Sequence, residues 1–484
     1  MSSERKLFGT DGIRGTIGDW PLVPEFLLKL GQATGKVLKA EKNSTILIGR
    51  DTRQSGVMLQ YALSAGLLSS NVNVIDLGIV PTAAVSWLVL SIKAEAGIVI
   101  SASHNPVQEN GIKFFDRFGQ KLGEKVEQKI EDLLLDKNFQ PKPQSNIGRY
   151  VDGRSFQELY SQDLLREHPS NFLAGLTIVI DCAHGAASYI APDVFQRTGA
   201  NIITINASPT GLNINFNSGS EYVRRSPEKF HETIKQYGAN FGLAFDGDAD
   251  RVVFVDEDGT LIDGDHMLGF LSRYLEQRGL LLENSVVTTT MRNEGLKRYV
   301  ESANIQMHET PVGDKYVIEK LMQLWNQNIQ KGKVGLGGEQ AGHIVLLDDE
   351  HITGDGLRTA LFVLNAYVES KNNTLANFAA GVGKMPQIIA SAHVGNGDRY
   401  SKHELQIMEG EVFSAYPGLL RVNLRYSGTE PLFRTMLESD YTYTEKDLAK
   451  IAVEISRKAQ EYSKQPNGSI DILNCTRGGV VNIL

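Results

Sequence analysis

Short apolar runs recur along this chain, and most end abruptly in polar residues. Between residues 24 and 40 the positions Phe26, Leu27, Leu30, Ala33, Val37 and Leu38 fall on one face of a helix opened by Pro24. Ile46-Leu47-Ile48-Gly49 reads as a strand that ends in Arg50-Asp51-Thr52-Arg53. Residues 56–70 read as a second helix, and 72–77 and 97–100 as two more strands. The same grammar returns further on. Leu176-Thr177-Ile178-Val179-Ile180 empties into Asp181-Cys182-Ala183-His184-Gly185, and Val334-Gly335-Leu336 into Gly337-Gly338-Glu339-Gln340. Apolar strands of about five residues alternating with helices predict parallel sheets covered on both faces. Three such blocks predict three α/β domains of similar build. Functional residues in these sheets gather beyond the carboxyl ends of strands, so the polar strand ends are where chemistry is expected. The last hundred residues differ. Arg421-Val422-Asn423-Leu424-Arg425 alternates like a strand and residues 445–463 read as a helix, which predicts a smaller α+β unit. The segment after Gln465, with Pro466-Asn467-Gly468, has weak periodicity and receives no assignment.

Composition narrows the function classes. A chain of 484 residues is too long for one core, while 41% hydrophobic and 22% charged residues are ordinary for a globular protein. A net charge of −8 with no basic block argues against a nucleic-acid binder. Two cysteines, Cys182 and Cys475, make neither a disulfide framework nor a metal-ligand spacing, and free thiols are expected. The opening MSSERKLFGTDG has no apolar core of a signal peptide, and no run approaches the ~18 apolar residues of a membrane span. The expectation is a cytoplasmic protein with neither nucleic acid nor membrane as partner.

Four polar loops carry candidate chemistry. In the first, Ser101-Ala102-Ser103-His104-Asn105-Pro106 follows a buried strand, and the chain resumes as Ile112-Lys113-Phe114-Phe115. It offers a nucleophilic serine with Lys113 close enough to return to it. A capping turn fits the same residues, and the Gly-x-Ser-x-Gly elbow is absent. The second is Phe245-Asp246-Gly247-Asp248-Ala249-Asp250-Arg251. Three carboxylates at alternate positions repel unless a cation lies between them, and a hard divalent ion such as Mg²⁺ or Ca²⁺ suits oxygen ligands. Arg251 is placed to meet a phosphate oxygen. Asp246, Asp248, Asp250 and Glu257 match EF-hand spacing, but Arg251 stands where that loop needs glycine and the flanks read as strands, so an EF-hand is excluded. A phosphatase with Asp246 as nucleophile remains open. The third loop brings Glu339, Gln340 and His343 among glycines, a donor and acceptor set suited to sugar hydroxyls, although an ordinary glycine turn fits as well. The fourth, Arg425-Tyr426-Ser427-Gly428-Thr429-Glu430-Pro431-Leu432-Phe433-Arg434, suits a phosphate or a structural turn. No Gly-Lys-Ser/Thr follows, so it is not a P-loop.

In this order along one chain, the loops resemble those of the α-D-phosphohexomutase superfamily. The resemblance begins at Phe8-Gly9-Thr10-Asp11-Gly12-Ile13-Arg14-Gly15. It continues through GIVISASHNP and NGIKFF, DGDADR, Val312-Gly313-Asp314-Lys315-Tyr316, the TGDG of Thr353 to Gly356, and Ser427-Gly428-Thr429-Glu430-Pro431. It covers about residues 5–462. It implies three similar mixed-sheet α/β domains and a smaller C-terminal α+β domain around a central cleft. The implied divisions are 1–155 with a phosphoserine loop, 156–263 with a metal loop, 264–385 with a sugar loop and 386–484 with a phosphate loop. By this likeness Ser103 carries a phosphoryl group. Asp246, Asp248 and Asp250 hold Mg²⁺, with the oxygen of Ser103 completing the site. Glu339, Gln340 and His343 meet the sugar, and Arg425, Ser427, Gly428, Thr429 and Arg434 meet the distal phosphate. Arg14, His104, Lys113 and Arg251 stabilise charge or handle protons.

The likeness is greatest to the bacterial branch that interconverts glucosamine 6-phosphate and glucosamine 1-phosphate, on the way to UDP-N-acetylglucosamine. It implies a 1,6-bisphosphate intermediate, a glucosamine or glucose 1,6-bisphosphate activator, sugar phosphates as partners, and a homodimer. Phosphomannomutase or phosphoglucomutase activity on the same fold is the alternative. An Asp246-dependent phosphatase and a non-catalytic sugar-phosphate sensor are more distant ones. Two positions depart from the pattern: Ala341 stands where serine is usual, and His184 where asparagine is usual.

Overall fold

The computed structural model describes residues 7–9, 11–39, 44–139, 146–327, 332–371, 374–395, 397–427, 431–465 and 467–482. The periodic segments form the elements their patterns predict. The helix opened by proline is Pro24–Leu38, the second helix is Gln54–Ser69, and the late helix is Glu445–Tyr462, which starts at a Thr444–Asp447 capping box. The strands Thr45–Arg50, Ala96–Ile100, Thr177–Asp181 and Val334–Gly338 are apolar and largely buried.

One topology occurs three times. The first unit runs Thr45–Arg50, Asn73–Ile79, Ala96–Ile100 and Glu109–Asp116 in chain order. Side by side they lie in the order second, first, third, fourth, and in this sheet Tyr150–Asp152 and Ile13–Thr16 add an edge strand at either end. Thr177–Asp181, Asn201–Ile205, Phe241–Phe245 and Val252–Val255 repeat this order in the second sheet. Leu281–Thr289, Gln306–Thr310, Val334–Gly338 and Ile344–Leu347 repeat it in the third. In each unit the first three strands are parallel and the fourth returns antiparallel to the third. The sheets are therefore mixed, not purely parallel as the alternation of strands and helices predicts. The physical reason is local: the third and fourth strands follow one another as a hairpin with no helix between them.

The fourth sheet is antiparallel throughout. Leu419–Tyr426 pairs with Leu432–Ser439, which pairs with Gln387–His393. The segment after Gln465, unassigned from sequence, supplies this sheet's last strand, Ile470–Asn474. It also ties the fourth sheet to the second unit. Arg225 and Asp471 form an ion pair at 2.5 Å, and the Gly479 N–H donates to the Arg224 carbonyl at 2.8 Å. Cys182 and Cys475 are free and buried, and burial pushes the Cys475 thiol up to about 12, so it stays protonated and unreactive. Among the described residues no helix is long and apolar enough to cross a membrane.

Candidate active site

The four polar loops are hairpin connections within these sheets, and the first three lie between the third and fourth strands of their units. Residues 101–108 join Ala96–Ile100 to Glu109–Asp116, and residues 246–251 join Phe241–Phe245 to Val252–Val255. Residues 339–343 join Val334–Gly338 to Ile344–Leu347, and residues 427–431 join Leu419–Tyr426 to Leu432–Ser439. The buried strand before Ser101 ends to present a side chain.

That side chain is Ser103. It is buried and its backbone is left-handed, with φ of 53°. Its Oγ donates to Asp246 Oδ2 at 2.6 Å and lies 3.3 Å from His104 Nδ1. Burial, together with Arg251 and Arg14, holds the His104 imidazole well below its usual pKa, so the ring is neutral at pH 7. The serine loop rests directly on the aspartate loop. A Cβ at Gly247 would lie 2.5 Å from the Ser103 carbonyl oxygen, so only glycine permits this approach. Gly247→Ala is expected to part the two loops and lower kcat roughly 100-fold, the effect of about 1 Å of misplacement at a reacting centre. Steady-state kinetics beside a melting curve check this.

The three aspartates are buried, and each can place a carboxylate oxygen within 4.8 Å of the other two. Burial, with Asp250 and Asp248 alongside, holds the Asp246 carboxyl well above its usual pKa. Asp248 is driven the other way. Burial pushes it up, but Lys113, 2.8 Å away, and the Thr82 hydroxyl at 2.6 Å outweigh that, and the net shift is downward. Asp248 Oδ1 and Asp250 Oδ1 are buried with no hydrogen-bond partner among the described residues. Unpartnered carboxylate oxygens beside a hydroxyl are the donor set of a hard divalent cation, so these residues fit such an ion.

Lys113 sits at the centre of the charges. It lies 2.8 Å from Asp248, 3.4 Å from Asp250 and 3.4 Å from Asp11. Burial pulls its pKa down, but Asp11, Asp248 and Asp250 outweigh burial and hold it well above the usual value. Asp11 also pairs with Arg14 at 2.5 Å and with Lys121 at 2.7 Å, and Lys121 reaches Asp314 of the third unit at 2.5 Å. His343 closes this chain, its Nδ1 3.9 Å from Asp314. The TGDG segment supports both loops from behind. A Cβ at Gly354 would strike the His343 ring, and the Gly356 N–H donates to the Ala249 carbonyl at 3.0 Å.

The remaining candidates divide. Glu339 Oε1 accepts from the Gly313 N–H at 3.1 Å, and its charge is felt by both Arg251 and Arg425. Gln340 turns inward. Its Nε2 donates at 2.7 Å to Asp265 and at 2.7 Å to Gln387, so its side chain joins the third unit to the fourth sheet. Arg425 and Arg434 are register partners across their hairpin. Burial and the neighbouring Arg434 pull Arg425 down to about 10, and its Nε has no partner among the described residues, a setting that favours an anion. Arg434 also acts electrostatically on His104. Ser427 is buried, while Gly428 and Thr429 lie outside the described residues. Sequence reading missed Asp11, Thr82, Lys121 and Asp314 as members of this cluster. Asp11 and Asp314 stand inside the quoted segments FGTDGIRG and VGDKY, which was the available signal.

A hydroxyl set against a buried carboxylate trio, with Arg251 3.8 Å from Asp250, is an arrangement suited to phosphoryl transfer. Family models agree. Phosphoglucomutase/phosphomannomutase α/β/α domain I matches residues 5–141, domain II 157–259 and domain III 263–384. A phosphoglucosamine mutase of Carboxydothermus hydrogenoformans is 42% identical over 459 residues, covering 93% of this chain and 99% of that protein. One from Proteus mirabilis is 43% identical, covering 90% and 95%. The crystal structure of a phosphoglucomutase/phosphomannomutase family protein from Burkholderia thailandensis shares the fold, with a TM-score of 0.73 at 22% identity, covering 96% of this chain and 99% of that one. The chain belongs to the phosphoglucomutase/phosphomannomutase family of the α-D-phosphohexomutase superfamily, whose members are isomerases.

Proposed function

We propose that this protein interconverts glucosamine 6-phosphate and glucosamine 1-phosphate, with Ser103 as the phosphoryl carrier. The observation that carries the mechanism is the Ser103 hydroxyl on Asp246, where the serine loop meets the aspartate loop. The amino sugar is supported by relatives of about 40% identity over nearly the whole chain that are phosphoglucosamine mutases. Phosphoserine gives its phosphoryl group to the sugar O1. The P–Oγ bond breaks, the P–O1 bond forms, and the O1 proton ends on the departing Oγ. His104, neutral and 3.3 Å from Oγ, is the base that takes the Ser103 proton when this hydroxyl in turn attacks the O6 phosphoryl group, and that proton ends on O6. The 1,6-bisphosphate turns over, and O6 returns a phosphoryl group to Ser103. Lys113, held charged by three carboxylates, and Arg14 and Arg251 balance charge on the equatorial oxygens. Arg425, with Arg434 and Ser427, anchors whichever phosphate is not reacting. Asp246, Asp248 and Asp250 would hold Mg²⁺, which supplies electrostatic stabilisation of the transferring group. A hexose 1,6-bisphosphate primes Ser103.

The test compares kcat/KM for glucosamine 6-phosphate, glucose 6-phosphate and mannose 6-phosphate, with Mg²⁺ and a trace of hexose bisphosphate. A preference for the amino sugar of at least about tenfold is expected, the worth of one well-placed polar contact. Preference for a neutral sugar would move the protein to the phosphomannomutase or phosphoglucomutase reading, which Ala341 keeps open by withdrawing one hydroxyl from the sugar loop. Ala341→Ser then measures what that hydroxyl contributes.

A further inference from the structure

Arg53 lies just beyond the strand Thr45–Arg50 and is fully buried. A guanidinium out of water must have its charge and its donors matched. Its Nε donates to Asp51 Oδ2 at 2.9 Å, in an ion pair with no exposure on either side chain. Its other side-chain donors go to backbone carbonyls of the serine loop and of Glu109, the first residue of the strand that follows it. Nη2 reaches Ser103 at 3.0 Å and Asn105 at 2.7 Å, and Nη1 reaches Pro106 at 2.5 Å and Glu109 at 3.1 Å. The same Asp51 oxygen accepts from Ser101 Oγ at 2.7 Å, and Ser101 Oγ accepts from the Ser103 N–H at 2.9 Å. A second donor arrives from another unit. Asn215 Nδ2 donates to the carbonyls of Ser103 at 2.8 Å and Asn105 at 3.1 Å. A carbonyl oxygen has two lone pairs, so each can accept from both.

We propose that Arg53 and Asn215 are positioning residues that clamp the Ser103 and Asn105 carbonyls from two domains and thereby fix the direction in which the Ser103 oxygen faces the cleft. The inference rests on the reading of Ser103 as phosphoryl carrier. Ser103 holds a left-handed backbone that residues other than glycine seldom adopt, so its surroundings must impose it. A buried ion pair is weak evidence for stability, because apolar residues of similar volume often serve as well. Here its donors converge on one loop, which points to orientation. Phosphoryl transfer depends on alignment more than on covalent help, so orientation is what this loop must supply. A loosened loop also admits water. The water oxygen then attacks phosphorus, the P–Oγ bond breaks, the serine oxygen regains a proton from that water, and inorganic phosphate leaves.

The experiment uses the full chain with Mg²⁺, labelled on Ser103 from ³²P-hexose 1,6-bisphosphate. Label is followed to sugar phosphate and to inorganic phosphate, beside kcat, KM and Tm. Asn215→Gly is the main variant, since φ of 60° at Asn215 suits glycine. Arg53→Lys keeps the charge beside Asp51 and loses the fork. In both, kcat is expected to fall roughly 10- to 100-fold with KM nearly unchanged, and the share of label lost to water to rise several-fold, while Asn215→Gly keeps its Tm. If Arg53→Lys does not fold, Asn215→Gly decides. Asn215→Gly protein with kcat and partition within about twofold of wild type overturns the clamp. Wild-type protein that takes no label on Ser103 overturns the carrier reading, and the clamp with it.

Discussion

Ser103→Ala is expected to lower mutase turnover by roughly 10⁴-fold or more, as removal of a covalent nucleophile does. The Oγ is the atom that receives and returns the phosphoryl group, and neither its Asp246 partner nor His104 can take over that exchange at the same point. Binding of sugar phosphate is expected to survive, because Arg425 and the sugar loop lie on other sheets. Stability is expected to fall by about 1.5–3 kcal/mol, since one hydrogen bond to a carboxylate is lost without a change of fold. The measurements are turnover, transfer of label from bisphosphate to protein, and the Kd of glucose 6-phosphate. Retained phosphate release in the variant would revive the phosphatase reading, with Asp246 as nucleophile. Retained binding in a wild-type protein that never turns over would mark a sensor.

The site was legible where local chemistry conflicts with its setting. Three aspartates after a buried strand are costly without a purpose, and sequence marks them, whereas the Ser-Ala-Ser-His turn also fits a cap and is marked by its resemblance to a known family. What joins those loops was not legible. Lys121 finds Asp314 across 193 positions and Asn215 finds Ser103 across 112, and no periodicity encodes such pairs. Asp51-Thr52-Arg53 was visible as a polar strand end, yet its role depends on carbonyls 50 or more residues away. Gln340 misled because residue type was legible and direction was not. Elements with one wet face, such as Pro24–Leu38 and Glu445–Tyr462, declare themselves by period. Thr82–Ser91 does not: Thr82 through Val89 are all buried, so it is covered on every side and shows no polar stripe. The strand Ile470–Asn474 is an edge strand of five residues interrupted by polar ones, too short to stand out.

Removing divalent cations is expected to cost roughly 10³-fold or more in turnover, recoverable with Mg²⁺. The argument starts from charge. Asp246, Asp248 and Asp250 are buried together, and the one side-chain cation within hydrogen-bond distance of them among the described residues is Lys113, which is shared with Asp11. Burial and the mutual repulsion show in the raised Asp246 carboxyl, and two carboxylate oxygens have no hydrogen-bond partner among the described residues. An ion between the three relieves all of this at once, so Mg²⁺ should also stabilise the fold, by about 2.7 kcal/mol at a hundred times its Kd. Asp250→Asn separates the two effects. It removes one charge while Asp246 stays on Ser103 and Asp248 on Lys113 and Thr82, so the Mg²⁺ needed for half-maximal turnover should rise about tenfold or more. Chelated protein with undiminished turnover and an unchanged melting curve would refute the metal reading. The carboxylates would then serve as counter-charges for Lys113 and for Arg251, 3.8 Å from Asp250, an arrangement that leaves Asp248 Oδ1 unexplained.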